Sequence, residues 1–190
     1  MADDRAVVDL DENDKRTALC IARDTLQWSV AAPTEPFAFS EYQATPTLMQ
    51  NWTTFVTLRW QGALRGCVGG FEPVASLMQS GHDNTLKAAR EDPRFPAVSA
   101  DEVEDIHVHL SILSVLRKVH SLEAFGVGRH GLLMTLGKTR SVFLPEVAAQ
   151  QNWTPEETAA ALCRKAGLQD DAWRQGAKFS VFTSTIIEED

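Results

Sequence analysis

The spacing of apolar residues near the start of the chain predicts an amphipathic helix. Its apolar positions recur at helical spacing, at Ala18, Leu19, Ala22 and Leu26. Asn13 is a residue type that caps helices, and Asp14 suits the first turn because its charge complements the helix dipole. Cys20 lies within this helix and is predicted to fill the core. Residues 1–12 are acidic and carry no apolar signal segment, so we predict a flexible arm and no secretory signal.

Two stretches in the first half of the chain have the pattern of β-strands. Phe55–Trp60 is rich in β-branched and aromatic residues, Gln61-Gly62 can turn the chain, and Ala63–Val68 returns it, which predicts a β-hairpin. Glu104–Leu113 alternates strictly between apolar and polar positions. Its apolar face consists of Ile106, Val108, Leu110 and Ile112, and its polar face of His107, His109 and Ser111.

The second half of the chain repeats these patterns. Gly131–Pro145 contains two short apolar runs around Gly137-Lys138 and predicts a second hairpin, and Phe179–Ile187 predicts a closing strand. A helix is predicted over Val74–Glu91. Another follows Thr154, which starts a capping box with Glu157, and it ends at Gly167 with Cys163 in its core face. Because hairpins outnumber βαβ units, the predicted class is α+β, with a mainly antiparallel sheet flanked by helices.

Composition narrows the classes of function. The chain has 190 residues, 44% of them hydrophobic, and a net charge of −8 with a pI near 5.1. This acidic balance, without a basic run, predicts no nucleic-acid partner. The longest apolar runs are too short for a membrane span, so no membrane partner is expected. Three widely spaced cysteines do not form a disulfide framework, and a cytoplasmic location is expected.

The segment Gly62–Pro73, GALRGCVGGFEP, is the first candidate for chemistry. On a regular strand Arg65 and Cys67 share one face, about 7 Å apart, and a neighbouring cation favours the thiolate of a cysteine. Gly66, Gly69 and Gly70 remove side chains from their surroundings. Two interpretations stay open. Cys67 is either a nucleophile in a small pocket, or a strand residue among glycines that serve packing.

Three further groups are candidate sites. His107 and His109 share a strand face and could bind a metal together, or they are simply polar groups on a half-exposed face. With no third ligand in view, no metal site is predicted. His130 precedes Gly131 in a predicted turn and is a candidate acid or base. Arg94 could clamp an anion, or it could pair with Asp92.

The combination of these segments resembles the AMMECR family. LRGCVG (Leu64–Gly69) is similar to the family hexapeptide, in which isoleucine is usual at position 68. The flanking segments follow in the family order and extend the resemblance from about Thr54 to the end of the chain: FVTL, DNTLKAAREDPRFPAV, LSILS, GRHGLLMTLGKTRSVFLPEVA and LCRKAGL. The departures from the family pattern leave Arg65, Cys67, Asn84, Asp92 and Arg94 in place.

The resemblance implies a fold and partners, but no reaction and no known cofactor. Residues 13–190 are expected to form one AMMECR-type domain with two lobes. The larger lobe would combine N- and C-terminal segments, the smaller would come from the middle, and a cleft between them would adjoin the cysteine motif. Prokaryotic members are known as protein A of the AmmeMemoRadiSam system, which implies association with Memo-type and radical-SAM proteins.

Two functions fit these features. In the first, the chain is an enzyme that acts on a small anionic or carbonyl substrate. Cys67, Arg65 and His130 are its catalytic candidates, and its ligand-binding candidates are Gly66, Gly69, Asn84, Asp92 and Arg94. In the second, the chain is a non-catalytic binding or adaptor module, and Cys67 only packs.

Overall fold

The structure is a computed structural model that describes residues 10–31 and 33–189. These residues form two units. Of the described residues, the larger unit comprises 10–31, 33–113 and 185–189, and the smaller unit comprises 114–184. The predicted origin of the two lobes is therefore confirmed. Most of the predicted arm, residues 1–9, lies outside the described residues, and Leu10 is buried in the core of the larger unit.

The larger unit contains a four-stranded sheet with the strand order β2-β1-β3-β8. Strand β1 pairs in antiparallel orientation with both β2 and β3. Two helices and two short 3-10 helices (Phe39–Glu41 and Ala100–Asp105) complete it. The long elements are α1 (Glu12–Val30), β1 (Thr53–Trp60), β2 (Ala63–Gly69), α2 (Leu77–Arg90), β3 (Ile106–Leu113) and β8 (Ser184–Glu188).

The smaller unit contains a second antiparallel sheet, in the order β4-β7-β5-β6. Two 3-10 helices, Leu122–Ala124 and Ala172–Gln175, lie between its long elements. Those are β4 (Arg117–Val119), β5 (Gly131–Leu136), β6 (Thr139–Phe143), α3 (Pro145–Gln150), α4 (Pro155–Lys165) and β7 (Lys178–Phe182). Two antiparallel sheets with helices confirm the predicted α+β class. No helix within the two described ranges is long and apolar enough to cross a membrane.

The larger core lies between one face of its sheet and the two helices. Alternation along β3 buries Ile106, Val108, Leu110 and Ile112, as predicted. They meet a stripe on α1 that includes Ile21 and Leu26, both fully buried. Each such side chain stabilises the fold by roughly 1.5–3 kcal/mol relative to an exposed one. The sheet therefore keeps its other face free for polar residues.

The smaller core follows the same plan. Leu132 and Met134 of β5 pack with Leu162 and Cys163 of α4. The predicted start of α4 is confirmed, since the Thr154 side chain accepts a hydrogen bond from the Glu157 backbone in a capping box. Cys163 is buried as predicted, with its Sγ 3.7 Å from the sulfur of Met134.

Three predictions about elements need correction. Asp11, rather than Asn13, caps α1. Cys20 is exposed rather than buried, because the buried stripe of α1 follows residues 18, 21, 22, 25 and 26 and leaves position 20 outside it. The predicted closing strand is two strands. The chain leaves β7 at Phe182, and after Thr183 it enters β8 in the other sheet.

Candidate functional site

Cys67 lies on β2, the edge strand of the larger sheet, and the pairing of this strand is irregular. Cys67 is opposite Thr57 and Gly66 is opposite Leu58, but the next pair joins Leu64 with Arg59. Arg65 therefore has no partner on β1 and occupies a β-bulge. The sequence predicted that Arg65 and Cys67 share one face because residues alternate regularly along a strand. The bulge interrupts this alternation at Arg65.

The guanidinium of Arg65 is buried and occupied by protein groups. Its Nε and Nη2 donate to the two carboxylate oxygens of Glu102 at 2.7 and 2.9 Å, and its Nη1 donates to the carbonyl of Pro96 at 2.9 Å. The hydrogen bonds from Arg65, with further ones from Ser99, lower the pKa of Glu102 to about 2. Arg65 thus joins the bulge of β2 to the segment before β3.

Asp92 and Arg94 hold the backbone of Cys67. The Cys67 N–H donates to the Asp92 carboxylate at 2.9 Å, and the Arg94 Nη2 donates to the Cys67 carbonyl at 3.1 Å. The two side chains also pair, with Arg94 Nη2 2.6 Å from Asp92 Oδ2, so the pairing interpretation of Arg94 is the one observed. These contacts satisfy backbone groups that an edge strand would otherwise expose.

The charges of this pair stabilise each other. Hydrogen bonds from the Arg94 side chain, followed by the backbone N–H groups of Cys67 and Arg94, hold the pKa of Asp92 well below its usual range. The bond to Asp92 in turn raises the pKa of Arg94, and the Cys67 group adds to that effect. Arg94 is the guanidinium that contacts Cys67, through its backbone carbonyl, whereas Arg65 binds Glu102 and Pro96. The Arg94 side chain is 53% exposed, whereas that of Asp92 is buried.

The thiol lies in a row of polar side chains that crosses the sheet. Thr57 Oγ1 donates a hydrogen bond to Cys67 Sγ at 3.3 Å. Thr57 is also directly opposite His109 on β3, and His109 Nδ1 is 2.8 Å from the Glu188 carboxylate on β8. One row therefore contains a thiol, a hydroxyl, an imidazole and a carboxylate. Adjacent strands are about 4.8 Å apart, so the backbones of Cys67 and His109 are separated by about 10 Å.

Sequence patterns alone did not reveal this row. Thr57 and Glu188 were not among the predicted site residues, and His109 entered only as a metal ligand. The strict alternation of Glu104–Leu113 correctly placed His109 on the polar face. The missing information was the strand order. Thr57 lies next to both Cys67 and His109 because its strand, β1, lies between β2 and β3 in the sheet.

Two glycines of the motif are required for packing. A Cβ on Gly66 would lie 2.3 Å from the carbonyl oxygen of Ala88 on α2, so the helix packs directly on the strand backbone. A Cβ on Gly69 would lie 2.4 Å from the ring of Phe55. Gly70 has no heavy atom within 4 Å of such a Cβ and faces open space. The packing interpretation therefore applies to Gly66 and Gly69.

A cavity of about 190 Å³ lies at the end of the motif, between β1, β2 and α2. Asn84 is fixed at its wall, because its Nδ2 donates to the Thr54 carbonyl at 3.1 Å and to Thr54 Oγ1 at 2.8 Å. The Trp52 Nε1 at the same cavity is buried and finds no acceptor among the described residues. The lining includes Trp52, Thr54, Val68, Gly69, Gly70, Asn84 and Lys87.

The remaining candidates are His130 and His107. His130 belongs to the smaller unit, where it is buried and its Nδ1 accepts a hydrogen bond from the Gly126 N–H at 3.0 Å. Its acid–base role stays a prediction, as does the cleft beside the motif. His107 is exposed at the sheet surface, and the described residues contain no cluster of three side chains able to hold a metal ion.

Comparison with known proteins identifies the family. A sequence profile of the AMMECR1 family matches residues 19–187. The chain belongs to the AMMECR1 family. A Methanosarcina mazei protein is 32% identical over 186 residues, which cover 95% of this chain and 94% of that protein. The Methanocaldococcus jannaschii protein MJ0810 is 41% identical over 133 residues, which cover 66% of each chain.

A solved structure supports the fold of this AMMECR1-family chain. The crystal structure of the uncharacterised protein PH0010 from Pyrococcus horikoshii is similar to it, with a TM-score of 0.85 and 30% identity. The similarity covers 95% of this chain and 93% of the other. Family membership therefore establishes kinship and fold, and the function has to be argued from the residues.

Proposed function

We propose that this AMMECR1-family chain is an enzyme whose Cys67 thiol attacks a carbonyl carbon of a small substrate. The observation that carries the proposal is the row of Cys67, Thr57, His109 and Glu188 across the larger sheet. A nucleophile, a base and a carboxylate that orients the base form the usual arrangement of covalent catalysis. Here the threonine hydroxyl stands between the thiol and the imidazole.

The row assigns a step to each side chain. The Cys67 sulfur forms a bond to the carbonyl carbon, and the carbonyl π pair moves onto oxygen. For this step the Thr57 hydroxyl rotates from donating to the sulfur to accepting from it, so that the thiol proton passes to the Thr57 oxygen while the Thr57 proton passes to Nε2 of His109. Glu188, 2.8 Å from Nδ1, holds the imidazole in the tautomer that leaves Nε2 free to accept this proton.

The cation of the site is Arg94 in this proposal. Arg65 is occupied by Glu102 and Pro96 and cannot reach a substrate without losing a buried ion pair. The Arg94 side chain is half-exposed and bonds to the Cys67 carbonyl. An anionic group of the substrate, or the oxyanion of the adduct, would find this guanidinium beside the reacting carbon.

Alkylation of the native protein tests the proposal, and the chain supplies its own control. Cys20 is exposed, so its rate of reaction with iodoacetamide represents an ordinary surface thiol. We expect Cys67, although half-buried, to react about tenfold faster than Cys20 at pH 7, as read by peptide mass spectrometry. The variants Thr57→Val and His109→Gln should lose most of that difference.

Two results would contradict the proposal. One is equal rates at the two cysteines. The other is a midpoint for Cys67 near pH 8.5, which is about the value of a free thiol, in both the wild type and Thr57→Val. Either result would leave Cys67 as a packing residue of the edge strand.

The cavity beside Gly69 and Gly70 favours a second function, a binding or adaptor module. The buried Trp52 Nε1 has a proton to donate, and an acceptor atom of a ligand or partner would satisfy it. The family resemblance suggests Memo-type and radical-SAM proteins as those partners. Calorimetry with the purified proteins separates the two functions. The adaptor proposal expects Cys67→Ser to bind and function as the wild type does, and loss of function with intact binding would contradict it.

A further inference from the structure

A large groove lies in the smaller unit, and its lining does not include Cys67, Thr57, His109 or Glu188. Its volume is about 970 Å³, near the upper end of the roughly 300–1,000 Å³ typical of small-molecule sites. Strands β4, β5, β6 and β7 contribute to its walls, together with Trp173 and Arg174 of the last 3-10 helix. All of its lining residues belong to residues 114–184.

The groove is basic, although the protein as a whole is acidic. Within the described part of the chain, its lining contains four permanent cations and two carboxylates, while the whole chain has a net charge of −8. The cations are Lys118, Arg140, Arg174 and Lys178, and the carboxylates are Glu123 and Glu156. The groove is therefore locally positive, although the net charge of the whole chain is negative.

Strand register brings three of these cations together on one face of the sheet. Thr135 is opposite Lys178 on one side and Arg140 on the other, so both cations lie in one row. The next row joins Lys118, Ser180 and Leu133, again without an acidic residue. Neighbouring strands are about 4.8 Å apart, so the backbones of Lys118 and Lys178, on adjacent strands and in adjacent rows, lie within about 10 Å of each other, and Arg140 is two strands from Lys178. The like charges of Lys118 and Lys178 repel, and an anion placed between them removes this repulsion.

The same groove has an apolar part. Leu133 and Phe179 are buried at its wall, and Trp173 adds a half-buried indole ring. The Arg174 guanidinium lies 4.2 Å from the centre of that ring, so cationic and aromatic surfaces adjoin. A site of this composition suits a molecule that combines negative charge with an apolar body.

We propose that this groove binds a small organic anion, a carboxylate or phosphate carried on an apolar or aromatic body. Charge complementarity identifies the anion, and the volume and the apolar wall identify the body. The proposal does not depend on Cys67, because no residue of the cross-strand row lines the groove.

Titration with 1-anilinonaphthalene-8-sulfonate, an aromatic anion whose fluorescence rises in apolar surroundings, tests the groove in the full chain. We expect saturable binding that weakens with salt. The double variant Lys118→Ala/Lys178→Ala should raise the Kd at least tenfold. The matched control is Lys138→Ala, an exposed lysine in the turn between β5 and β6 that does not line the groove, and its Kd should stay within twofold.

Competition identifies the chemistry of the ligand. Phenyl phosphate and benzoate should displace the dye, the better competitor showing whether phosphate or carboxylate is preferred, and neutral cyclohexanol should not. Trp173→Phe provides a second variant that keeps every charge and should weaken dye binding severalfold.

Three results would overturn the proposal. They are an unchanged Kd in a folded double variant, equal weakening in Lys138→Ala, and displacement by a short RNA at concentrations far below those of phenyl phosphate. The last would assign the groove to nucleic acid instead.

Discussion

The two sheets of the molecule use their charges differently. In the larger unit, each of three guanidinium groups is paired with a carboxylate: Arg23 with Glu189, Arg65 with Glu102, and Arg94 with Asp92. In the smaller unit, the cations of the groove outnumber the carboxylates by four to two. Both sheets are four-stranded and bury one face against helices. The smaller unit also has an ion pair, Arg164 with Asp170, so the contrast lies between the paired arginines and the groove lysines, not in the architecture.

The difference separates three arginines that each bind a carboxylate from two groove lysines for which the described residues show no such partner. The most recognisable arginine of the chain, in LRGCVG, is of the first kind, since Arg65 joins β2 to Glu102 and Pro96. The inconspicuous lysines Lys118 and Lys178 are of the second kind. A motif can thus be recognisable because the fold requires it, while the residues proposed here for ligand binding form no motif.

The largest effect is expected from breaking the buried ion pair of the larger unit. Arg65→Ala leaves the Glu102 carboxylate without its partner, and we expect a loss of about 3 kcal/mol in the free energy of unfolding, measured by urea denaturation. Arg59→Ala on the same hairpin is the control, because Arg59 is exposed and its one hydrogen bond to a described residue goes to the Gly62 carbonyl. If both variants lost the same small amount, Arg65 would not have the structural role described.

A somewhat smaller effect is expected from the glycines. Gly66→Ala places a methyl group 2.3 Å from the Ala88 carbonyl oxygen, which is backbone and cannot rotate away, so we expect a loss of about 2 kcal/mol. Gly70→Ala should change stability by less than about 0.5 kcal/mol, since nothing lies near its new Cβ. Thermal or urea unfolding of the two variants, compared side by side, measures the difference. Equal losses would contradict the close packing of α2 on β2.

Acid should weaken the larger unit through its paired carboxylates. The pKa of Glu102 falls from 4.5 to about 2 on folding, and that of Asp92 is lowered as well. A carboxyl group whose pKa is lowered on folding stabilises the fold at any pH above its pKa in the unfolded chain. This stability disappears as the pH falls from about 4.5 towards 2. Urea midpoints measured across this range should drop, and Glu102→Gln should flatten the curve while lowering stability at pH 7. A curve as steep as that of the wild type would exclude Glu102 as a cause.

The smallest effect on stability is expected in the smaller unit. Lys118→Ala/Lys178→Ala removes like charges from adjacent rows, so stability should stay the same or rise by up to about 0.5 kcal/mol at low salt. Differential scanning calorimetry at two salt concentrations measures this change. A clear loss would show that these lysines support the fold, and it would end the contrast between the two sheets.

Much of the fold could be predicted because its signals are local. The capping box at Thr154, the hairpin turn at Gly137-Lys138 and the alternation of β3 each depend on a few neighbouring residues. The α+β class and the burial of Cys163 followed from them. The prediction that Cys20 is buried was wrong because the four apolar positions used for α1 did not define its buried face narrowly enough.

The candidate site was harder to predict because it depends on pairing. The bulge at Arg65 leaves no mark in the alternation of β2, yet it decides where the guanidinium goes. Glu188 is far from Cys67 along the chain, and only the strand order places both in one row. The basic groove likewise collects cations from positions 118 to 178 that form no run in the sequence.

After Thr183 the chain returns to the larger sheet as β8, and this order affects how the protein folds during its synthesis. Residues 114–184 are continuous, so the smaller unit can finish folding as soon as they have emerged from the ribosome. The larger unit begins earlier, but its sheet lacks β8, and Arg23 lacks Glu189, until the smaller unit has been made. The polar row with Cys67 is therefore completed last, when Glu188 arrives beside His109.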